Sequence, residues 1–289
     1  MKIALLRQPA SLAVACAAFL TLGQSQPPAL QEGFVDVPGA KIFYKDSGGR
    51  GVPVVFLHAF TGSADVWEHQ IPAFTRAGYR FIAYERRGFG RTVADANGPA
   101  STGSDDLLAL VDRLKIDKFH IVGTAGGGFV ALDFALTYPQ RLRSFTLLCS
   151  QGGVQDPDFT ETIKRITPDG FQNMPASFRE LSPSYRAANP EGVARWTEFE
   201  SKNRAPEAVR GPAQPAKNRV TLAMVEGIKI PTLVISGDAD LYAPPALMRR
   251  IADRIKGAQF IAIPDAGHSV WWERPDQFNR AVLTFIAKH

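Results

Sequence analysis

The sequence predicts an α/β fold with a mainly parallel central sheet, helices on both faces and an antiparallel hairpin at the N-terminal end. Its 289 residues are 45% apolar and 21% charged, which is the balance of a globular chain that can bury a sizeable core. Short, nearly continuous apolar runs recur along the chain, as expected of strands that are covered on both faces. Between them, apolar residues recur at three- and four-residue steps, which is typical of helices packed against a sheet.

The predicted hairpin comes first in the chain. Two alternating segments, 33–37 and 40–44, flank Pro38-Gly39, a dipeptide that favours a tight turn. Buried strands are predicted at residues 52–57, 81–84, 119–122, 145–148, 232–235 and 260–263. Helices are predicted at residues 65–76, 104–114, 129–138, 245–256 and 275–288. Because buried strands and helices alternate, we expect the strands to run mainly parallel.

Residues 151–219 interrupt this alternation. The segment shows no strand pattern, and eight prolines separate short amphipathic stretches within it. It is therefore predicted to be an inserted helical lid, and residues 26–150 and 220–289 are predicted to form the core. Insertions of this size commonly shape a substrate site, while a surface insertion without a functional role is the alternative.

The N-terminus has the three-part layout of a secretory signal. Lys2 and Arg7 precede an apolar run at 11–22, which small and polar residues follow. We expect residues 1–25 to be a signal peptide and the mature protein to be periplasmic or secreted. A membrane anchor is the alternative, but the apolar run is shorter than the roughly 20 residues needed to span a bilayer, so no integral membrane association is expected.

The charged and metal-binding residue types predict no further partner. The formal net charge of +5 is spread along the chain without a basic run, which does not indicate a nucleic-acid partner. The five histidines are scattered, and no group of cysteines or carboxylates has metal-ligand spacing. No metal and no cofactor are therefore predicted, and the oligomeric state is left open.

The most informative motif lies where a predicted strand turns sharply into a helix through small residues. In the pattern G-x-S-x-G, the central serine is a nucleophile on a strained turn, and glycines are needed on either side of it. Here Gly123 and Gly127 frame Ala125, whose methyl group cannot attack a substrate. Downstream, Asp238 and Asp240 follow one predicted strand and His268 follows the last, in the chain order of nucleophile position, acid and histidine.

Together these features resemble the α/β-hydrolase superfamily over essentially the whole mature chain. The resemblance also includes the turn at His58 and the charged turn at 85–91. It implies that His268 is a general base, that Asp240 orients it, with Asp238 as the less favoured acid, and that Ala125 occupies the nucleophile position.

The resemblance further implies that the backbone amides of Phe60 and Gly126 form an oxyanion hole. Three residues near the elbow could be considered as replacement nucleophiles, but their positions on the turn or after another strand do not favour them: Thr124, Cys149 and Ser150.

The lidded small-molecule branch of the superfamily includes carbon–carbon bond hydrolases, enol-lactonases and carboxylesterases. We therefore expect an enzyme that hydrolyses a small ester, lactone or ketone with a His–Asp pair and an oxyanion hole but no elbow serine. A non-catalytic protein that binds a small ligand and a Ser-to-Ala inactivated form of a serine esterase are the alternatives. If the substrate is a carboxylate, the predicted lid offers Arg179, Arg186 and Arg195.

Overall fold

A computed structural model describes residues 30–289, so the predicted signal peptide lies outside the described residues. Within this range, one sheet contains the strands β1 (Gln31–Val37), β2 (Ala40–Asp46), β3 (Pro53–Leu57), β4 (Arg80–Tyr84), β5 (Val93–Ala94), β6 (Phe119–Thr124), β7 (Leu142–Leu148), β8 (Thr232–Gly237) and β9 (Gln259–Ile263). Their spatial order is β1-β2-β4-β3-β6-β7-β8-β9, and β5 pairs with β2. Pairing is antiparallel where β2 meets β1, β4 and β5, and parallel from β4 across to β9. The predicted mainly parallel sheet with an N-terminal hairpin is confirmed.

The α-helices of the described residues are α1 (Gln70–Arg76), α2 (Gly103–Arg113), α3 (Gly126–Thr137), α4 (Pro157–Ile166), α5 (Ala176–Glu180), α6 (Pro183–Ala188), α7 (Pro190–Ser201), α8 (Leu222–Glu226), α9 (Pro245–Ala252), α10 (Val270–Glu273) and α11 (Pro275–Ile286). Helices α4 to α7 all lie in the connection between β7 and β8, so this long insertion is helical. None of the helices in residues 30–289 combines the length and the hydropathy needed to cross a bilayer.

The sheet separates two apolar clusters, because successive side chains of a strand point to opposite faces. In β3, Val55 and Leu57 pack with α2, α3 and α9, whereas Val54 and Phe56 pack with α1 and α11. All four side chains are completely buried. A strand covered on both faces needs apolar residues at consecutive positions, which explains the continuous runs in the sequence.

Three predicted helices differ from the structure by three residues or more, and one of them, predicted at 245–256, already ends at Ala252. The helix predicted at 65–76 is a short 3-10 helix, Ala64–Trp67, followed by α1. Pro72 explains the break, because it has no N–H to donate to the carbonyl of residue 68. The helix predicted at 129–138 begins three residues earlier as α3, where its first turn consists of glycines that have low helix propensity.

Candidate active site

Ala125 forms the turn between β6 and α3. Its φ of 49° and ψ of −117° lie in a region that costs a residue with a Cβ on the order of 1–3 kcal/mol. Contacts with β7 and the residues after it hold this turn: the Ala125 N–H donates to the Leu148 carbonyl at 3.1 Å, and the Ser150 hydroxyl donates to the Ala125 carbonyl at 2.6 Å. The strand-to-helix turn expected from the sequence is therefore present, with a methyl group at its centre.

Glycine is required on both sides of Ala125 because α3 packs directly against β3. A Cβ on Gly127 would lie 2.2 Å from the carbonyl oxygen of Leu57, and one on Gly123 would lie 2.6 Å from the Cβ of Ala131. Real Cβ atoms do not approach backbone oxygens this closely. The framing glycines thus let the helix start immediately above the end of the strand.

His268 and Asp240 meet beyond the carboxyl ends of β9 and β8. The His268 Nδ1 lies 2.9 Å from both carboxylate oxygens of Asp240. One of these oxygens also accepts hydrogen bonds from the N–H groups of Tyr242 and Ala243, at 2.8 and 2.9 Å. Of the two acids that the sequence left open, Asp240 is buried against His268, whereas Asp238 is exposed.

The carboxylates around His268 favour its charged form. Burial by itself lowers the pKa of His268, but the charge of Asp240, the charge of Glu180 and the hydrogen bond with Asp240 raise it to about 9. Burial likewise opposes the charge on Asp240, yet the His268 charge and hydrogen bond, with the two backbone N–H groups, lower the pKa of that carboxyl. Each partner of the pair therefore favours the charged form of the other.

Two residues with unpaired backbone N–H groups line the same cavity as His268. Phe60 follows β3, and Gly126 is the first residue of α3, where helix N–H groups have no intrahelical acceptor. Among the described residues, neither N–H donates to a hydrogen-bond acceptor. Asn203 in the insertion holds the Phe60 loop, because its side-chain amide donates to the Phe60 carbonyl at 2.7 Å.

A cavity of about 440 Å³, which we call the elbow cavity, brings these groups together. The core contributes Ala125, His268 and the residues of the two unpaired N–H groups to its wall. The helical insertion contributes further polar side chains: Gln151, Gln172, Arg179, Glu180, Glu200, Asn203 and Arg204. The arrangement can therefore enclose a small molecule between the elbow and the insertion.

Each of the three residues considered as replacement nucleophiles is either buried or already hydrogen-bonded. The Thr124 hydroxyl is completely buried in β6 and is not part of the elbow cavity wall. The Ser150 hydroxyl donates to the Ala125 carbonyl and accepts the Gly152 N–H. Burial and the charge of Asp240 raise the pKa of the Cys149 thiol, so it lacks the thiolate form that acts as a nucleophile.

Cys149 also completes a group of potential metal ligands. Its Sγ, an Asp240 oxygen and a His268 ring nitrogen lie within 4.8 Å of one another. The sequence spacing of these residues did not suggest such a group, because they follow three different strands. The ring nitrogen and the carboxylate already bind each other, so the cluster is first of all the His–Asp pair with a buried thiol beside it.

Glu180 is a site residue that sequence reasoning missed. It ends α5 in the insertion, is only 4% exposed and lines the elbow cavity. Burial raises the pKa of its carboxyl, while the charge of His268 opposes that rise. A glutamate on a short amphipathic helix normally faces water, so the sequence contained no signal for this burial.

The three insertion arginines differ in position. Arg179 lines the elbow cavity and donates to the hydroxyl of Tyr242. Arg186 stacks on Phe178 outside the cavity, and Arg195 forms ion pairs at the surface. Only one of the arginines that the sequence offered for a carboxylate therefore reaches the elbow cavity.

A strand-to-helix elbow, a histidine held by a carboxylate and a helical insertion between β7 and β8 define the α/β-hydrolase class. Residues 52–275 match the alpha/beta hydrolase fold family, and the chain belongs to it. The Mycobacterium tuberculosis protein that carries the name non-heme bromoperoxidase BpoC is 30% identical over 254 residues, which cover 84% of this chain and 96% of that protein.

Two further relatives have names that specify hydrolysis. The Escherichia coli 2-hydroxy-6-oxononadienedioate/2-hydroxy-6-oxononatrienedioate hydrolase is 28% identical over 289 residues, with 92% of this chain and 99% of that protein covered. The solved structure of a thermophilic esterase from Thermogutta terrifontis, with malate bound, has a TM-score of 0.74 at 27% identity. The match covers 89% of this chain and 98% of the esterase chain.

Proposed function

We propose that this protein hydrolyses a small ester, lactone or ketone with water that His268 activates, and without a covalent intermediate at the elbow. One observation carries the proposal: His268, which is hydrogen-bonded to Asp240, lines the same cavity as Ala125, Phe60 and Gly126, and the last two have unpaired N–H groups. The names of the relatives, which include an esterase and a carbon–carbon bond hydrolase, support the substrate class.

The geometry supports a definite set of proton transfers. The His268 Nδ1 bonds to Asp240, so Nε2 is the nitrogen that accepts a proton from water. The water oxygen attacks the substrate carbonyl carbon, and the carbonyl oxygen becomes an oxyanion that accepts hydrogen bonds from the Phe60 and Gly126 N–H groups. When the intermediate collapses, Nε2 returns the proton to the leaving oxygen of an ester or lactone, or to the leaving carbon of a ketone.

Water activation without a side-chain nucleophile determines the expected pH dependence. It needs the neutral imidazole, and the pKa of His268 is raised to about 9. We therefore expect kcat/KM to rise with pH up to about 9 in the proposed mechanism. Asp240 is a positioning residue in this mechanism, because it holds the His268 imidazole in one orientation. Its charge also reduces the fraction of neutral imidazole that is present at neutral pH.

A covalent probe tests whether the proposed groups are assembled. A fluorophosphonate should label the Ala125→Ser variant, as detected by intact mass, but not the unaltered protein and not the double variant with His268→Asn. The double variant is the matched control, because it has the new serine without its base. Labelling of the unaltered protein would reveal a different nucleophile, and a silent Ala125→Ser variant would contradict the proposed catalytic assembly.

The formed cavity above an unreactive methyl group also favours a second function, the binding of a small ligand without turnover. A panel of esters, lactones and β-diketones distinguishes the two functions. Turnover that disappears in His268→Asn supports hydrolysis, whereas ligand affinity without turnover, unaffected by His268→Asn, supports binding alone. High activity on restoring serine at position 125 supports an inactivated serine esterase.

We also propose that the protein is exported, on the basis of the signal pattern in residues 1–25. Expression of the full chain with its own N-terminus, followed by fractionation and intact mass, tests this proposal. We expect a mature protein that begins near Gln26 in the periplasmic or secreted fraction. A full-length mass in the cytoplasmic fraction would contradict it.

A further inference from the structure

A second cavity of about 510 Å³ adjoins the elbow cavity. The two share part of their walls, namely Phe60, Gly126, Phe129 and Arg204. On its other sides the second cavity is lined by the turn after β4, by residues of α2 and α3, and by residues 210–216, which follow α7 within the insertion. We call it the arginine chamber, because Arg86, Arg87, Arg204 and Arg210 all contribute to its wall.

Arg86 is buried in the chamber wall without a negatively charged partner. It is only 7% exposed, and no carboxylate among the described residues forms an ion pair with it. Its strongest hydrogen bonds go to neutral groups, the carbonyls of His58 and Ala59, at 3.0 and 3.3 Å. Its Nε is buried and has no hydrogen-bond partner in the described structure. A guanidinium in this state carries a large desolvation cost that an anion would offset.

The charge around Arg86 is also positive. Arg86 and Arg204 both stack on the ring of Phe89, with their Cζ atoms 4.6 and 4.4 Å from the ring centroid. Arg204 and Arg210 likewise have no ion pair within residues 30–289. Burial lowers the pKa of Arg86 to about 10, so it is still cationic at neutral pH.

Of the other charged residues in the chamber wall, Arg87 has an ion pair and Asp133 is held by hydrogen bonds alone. Arg87 makes a two-point contact with Asp106 at 2.7 and 2.8 Å. Asp133 accepts four hydrogen bonds from neutral donors: the Ser104 hydroxyl, the backbone N–H groups of Lys217 and Asn218, and the Asn218 amide. Its lone pairs are thus directed into the protein. Three arginines without an ion pair thus share the chamber wall with one carboxylate, so the balance of the charges that are not in ion pairs is positive.

We propose that the arginine chamber binds the carboxylate of the molecule whose carbonyl group lies in the elbow cavity, with Arg86 and Arg204 as the specificity-determining residues. This inference rests on the proposed function for the carbonyl position, and it narrows the substrate class to small carbonyl compounds that carry a carboxylate. In this proposal a single small ligand spans both cavities, which adjoin at Phe60 and Gly126, the residues that supply the proposed oxyanion N–H groups. The guanidinium fork suits a planar carboxylate, and the Phe60, Phe89 and Phe129 rings suit an apolar stem.

Calorimetric titration with a matched ligand pair tests the inference without requiring turnover. The acid is 4-oxo-4-phenylbutanoate and the neutral ligand is its primary amide, which has the same shape without the charge. We expect the unaltered protein to bind the acid at least about tenfold more tightly than the amide, as for a hydrogen-bonded charge pair. Equal affinities, or no binding of the acid, would overturn the proposal.

Three arginine variants locate the source of the preference. Arg86→Met should abolish the preference for the acid, and Arg204→Gln should reduce it severalfold. Arg186→Gln is the matched control, because Arg186 also stacks on an aromatic ring without an ion pair but lies outside both cavities. A preference that survives Arg86→Met and Arg204→Gln would refute the assignment. Because Arg204 is exposed, its variant keeps the test valid even if Arg86→Met fails to fold.

The outcome is separable from that of the proposed hydrolysis. His268→Asn should keep the preference for the acid while losing turnover, since it leaves the chamber intact. If the acid preference is present and no carbonyl compound is hydrolysed, the chamber proposal stands and the hydrolytic proposal fails. If hydrolysis occurs with equal kcat/KM for a keto acid and its amide, the hydrolytic proposal stands and the chamber proposal fails.

Discussion

Replacing Asp240 by asparagine should lower the pKa of His268, because it removes the nearest negative charge and leaves the shape of the site unchanged. Both Asp240 oxygens lie 2.9 Å from the His268 Nδ1, and the new asparagine can still accept one hydrogen bond through its amide oxygen. Burial, which lowers the pKa of the imidazole, would then be opposed mainly by Glu180 and Glu273. The perturbation therefore isolates the charge of one carboxylate.

The size of the effect follows from the pKa. An opposite charge in direct contact contributes about 1–3 pH units, so we expect the pKa of His268 to fall from about 9 by about 2 units in Asp240→Asn. Each pH unit corresponds to about 1.4 kcal/mol of differential stabilisation of the imidazolium. The loss of the charge pair thus amounts to about 3 kcal/mol, which a titration resolves easily.

Two-dimensional ¹H–¹⁵N NMR of the histidine rings measures this pKa directly and needs no substrate. The His268→Asn variant assigns the resonance. Asp238→Asn is the matched control: it removes the same charge two residues away at an exposed position, and it should leave the titration unchanged. A midpoint near 6.5 in the unaltered protein, or a decrease in Asp238→Asn but not in Asp240→Asn, would refute the assignment of the pair.

The same pKa implies a pH dependence of stability. The folded-state pKa of His268 is raised above its unfolded value of 6.5. The contribution of His268 to the free energy of unfolding is therefore complete below pH 6.5 and is lost as the pH rises through about 9. We therefore compare the free energy of unfolding of the unaltered protein with that of His268→Asn at two pH values. The difference in favour of the unaltered protein should be about 3 kcal/mol larger at pH 6 than at pH 10. Urea denaturation of both proteins at the two pH values checks this difference.

Replacing Glu180 by glutamine removes a buried negative charge beside His268, so the pKa of His268 should fall and the rising limb of the pH–rate profile should move to lower pH. A rising limb that stays in place would show that Glu180 does not act on the imidazole. Gly127→Ala would put a Cβ 2.2 Å from the Leu57 carbonyl oxygen, and should lower the free energy of unfolding by about 1–3 kcal/mol in urea denaturation. Ala125→Gly relieves the strain of a positive φ at the elbow and should raise that free energy by about 1 kcal/mol, whereas a decrease would show that the turn is not strained.

Much of the fold could be predicted because its determinants are local. A strand buried on both faces needs consecutive apolar residues, and β3, β6 and β8 all show this pattern. The positions of Asp240 and His268 could also be predicted, since each follows the end of a parallel strand and these ends meet along one edge of the sheet. The helix at 65–76 was mistaken because apolar periodicity does not register the missing N–H of Pro72.

The cavities could not be predicted, because they depend on charged residues that long-range contacts bury. The run Glu85-Arg86-Arg87 has the composition of a solvated turn, yet all three side chains are 7% exposed or less. Glu85 binds Arg91, and Arg87 binds Asp106 on α2. Glu180 is buried for a similar reason, since the insertion folds back over the core. Nothing in the local sequence distinguishes these residues from ordinary surface charges.

The charges in the two cavity walls differ, and this difference bears on how a ligand can bind in the proposed function. The elbow cavity wall contains two arginines and two glutamates, whereas the chamber wall contains four arginines and one aspartate. Glu180 lies in the elbow cavity wall, where its charge acts on the imidazole, whereas Arg86 lines only the chamber and Arg204 lines both cavities. A carboxylate placed beside Glu180 would be repelled, and the same carboxylate beside Arg86 would be attracted and would gain hydrogen bonds. In the proposed function, a carbonyl compound with a carboxylate at one end therefore binds with that carboxylate at Arg86 and with its carbonyl group near His268 and the two unpaired N–H groups.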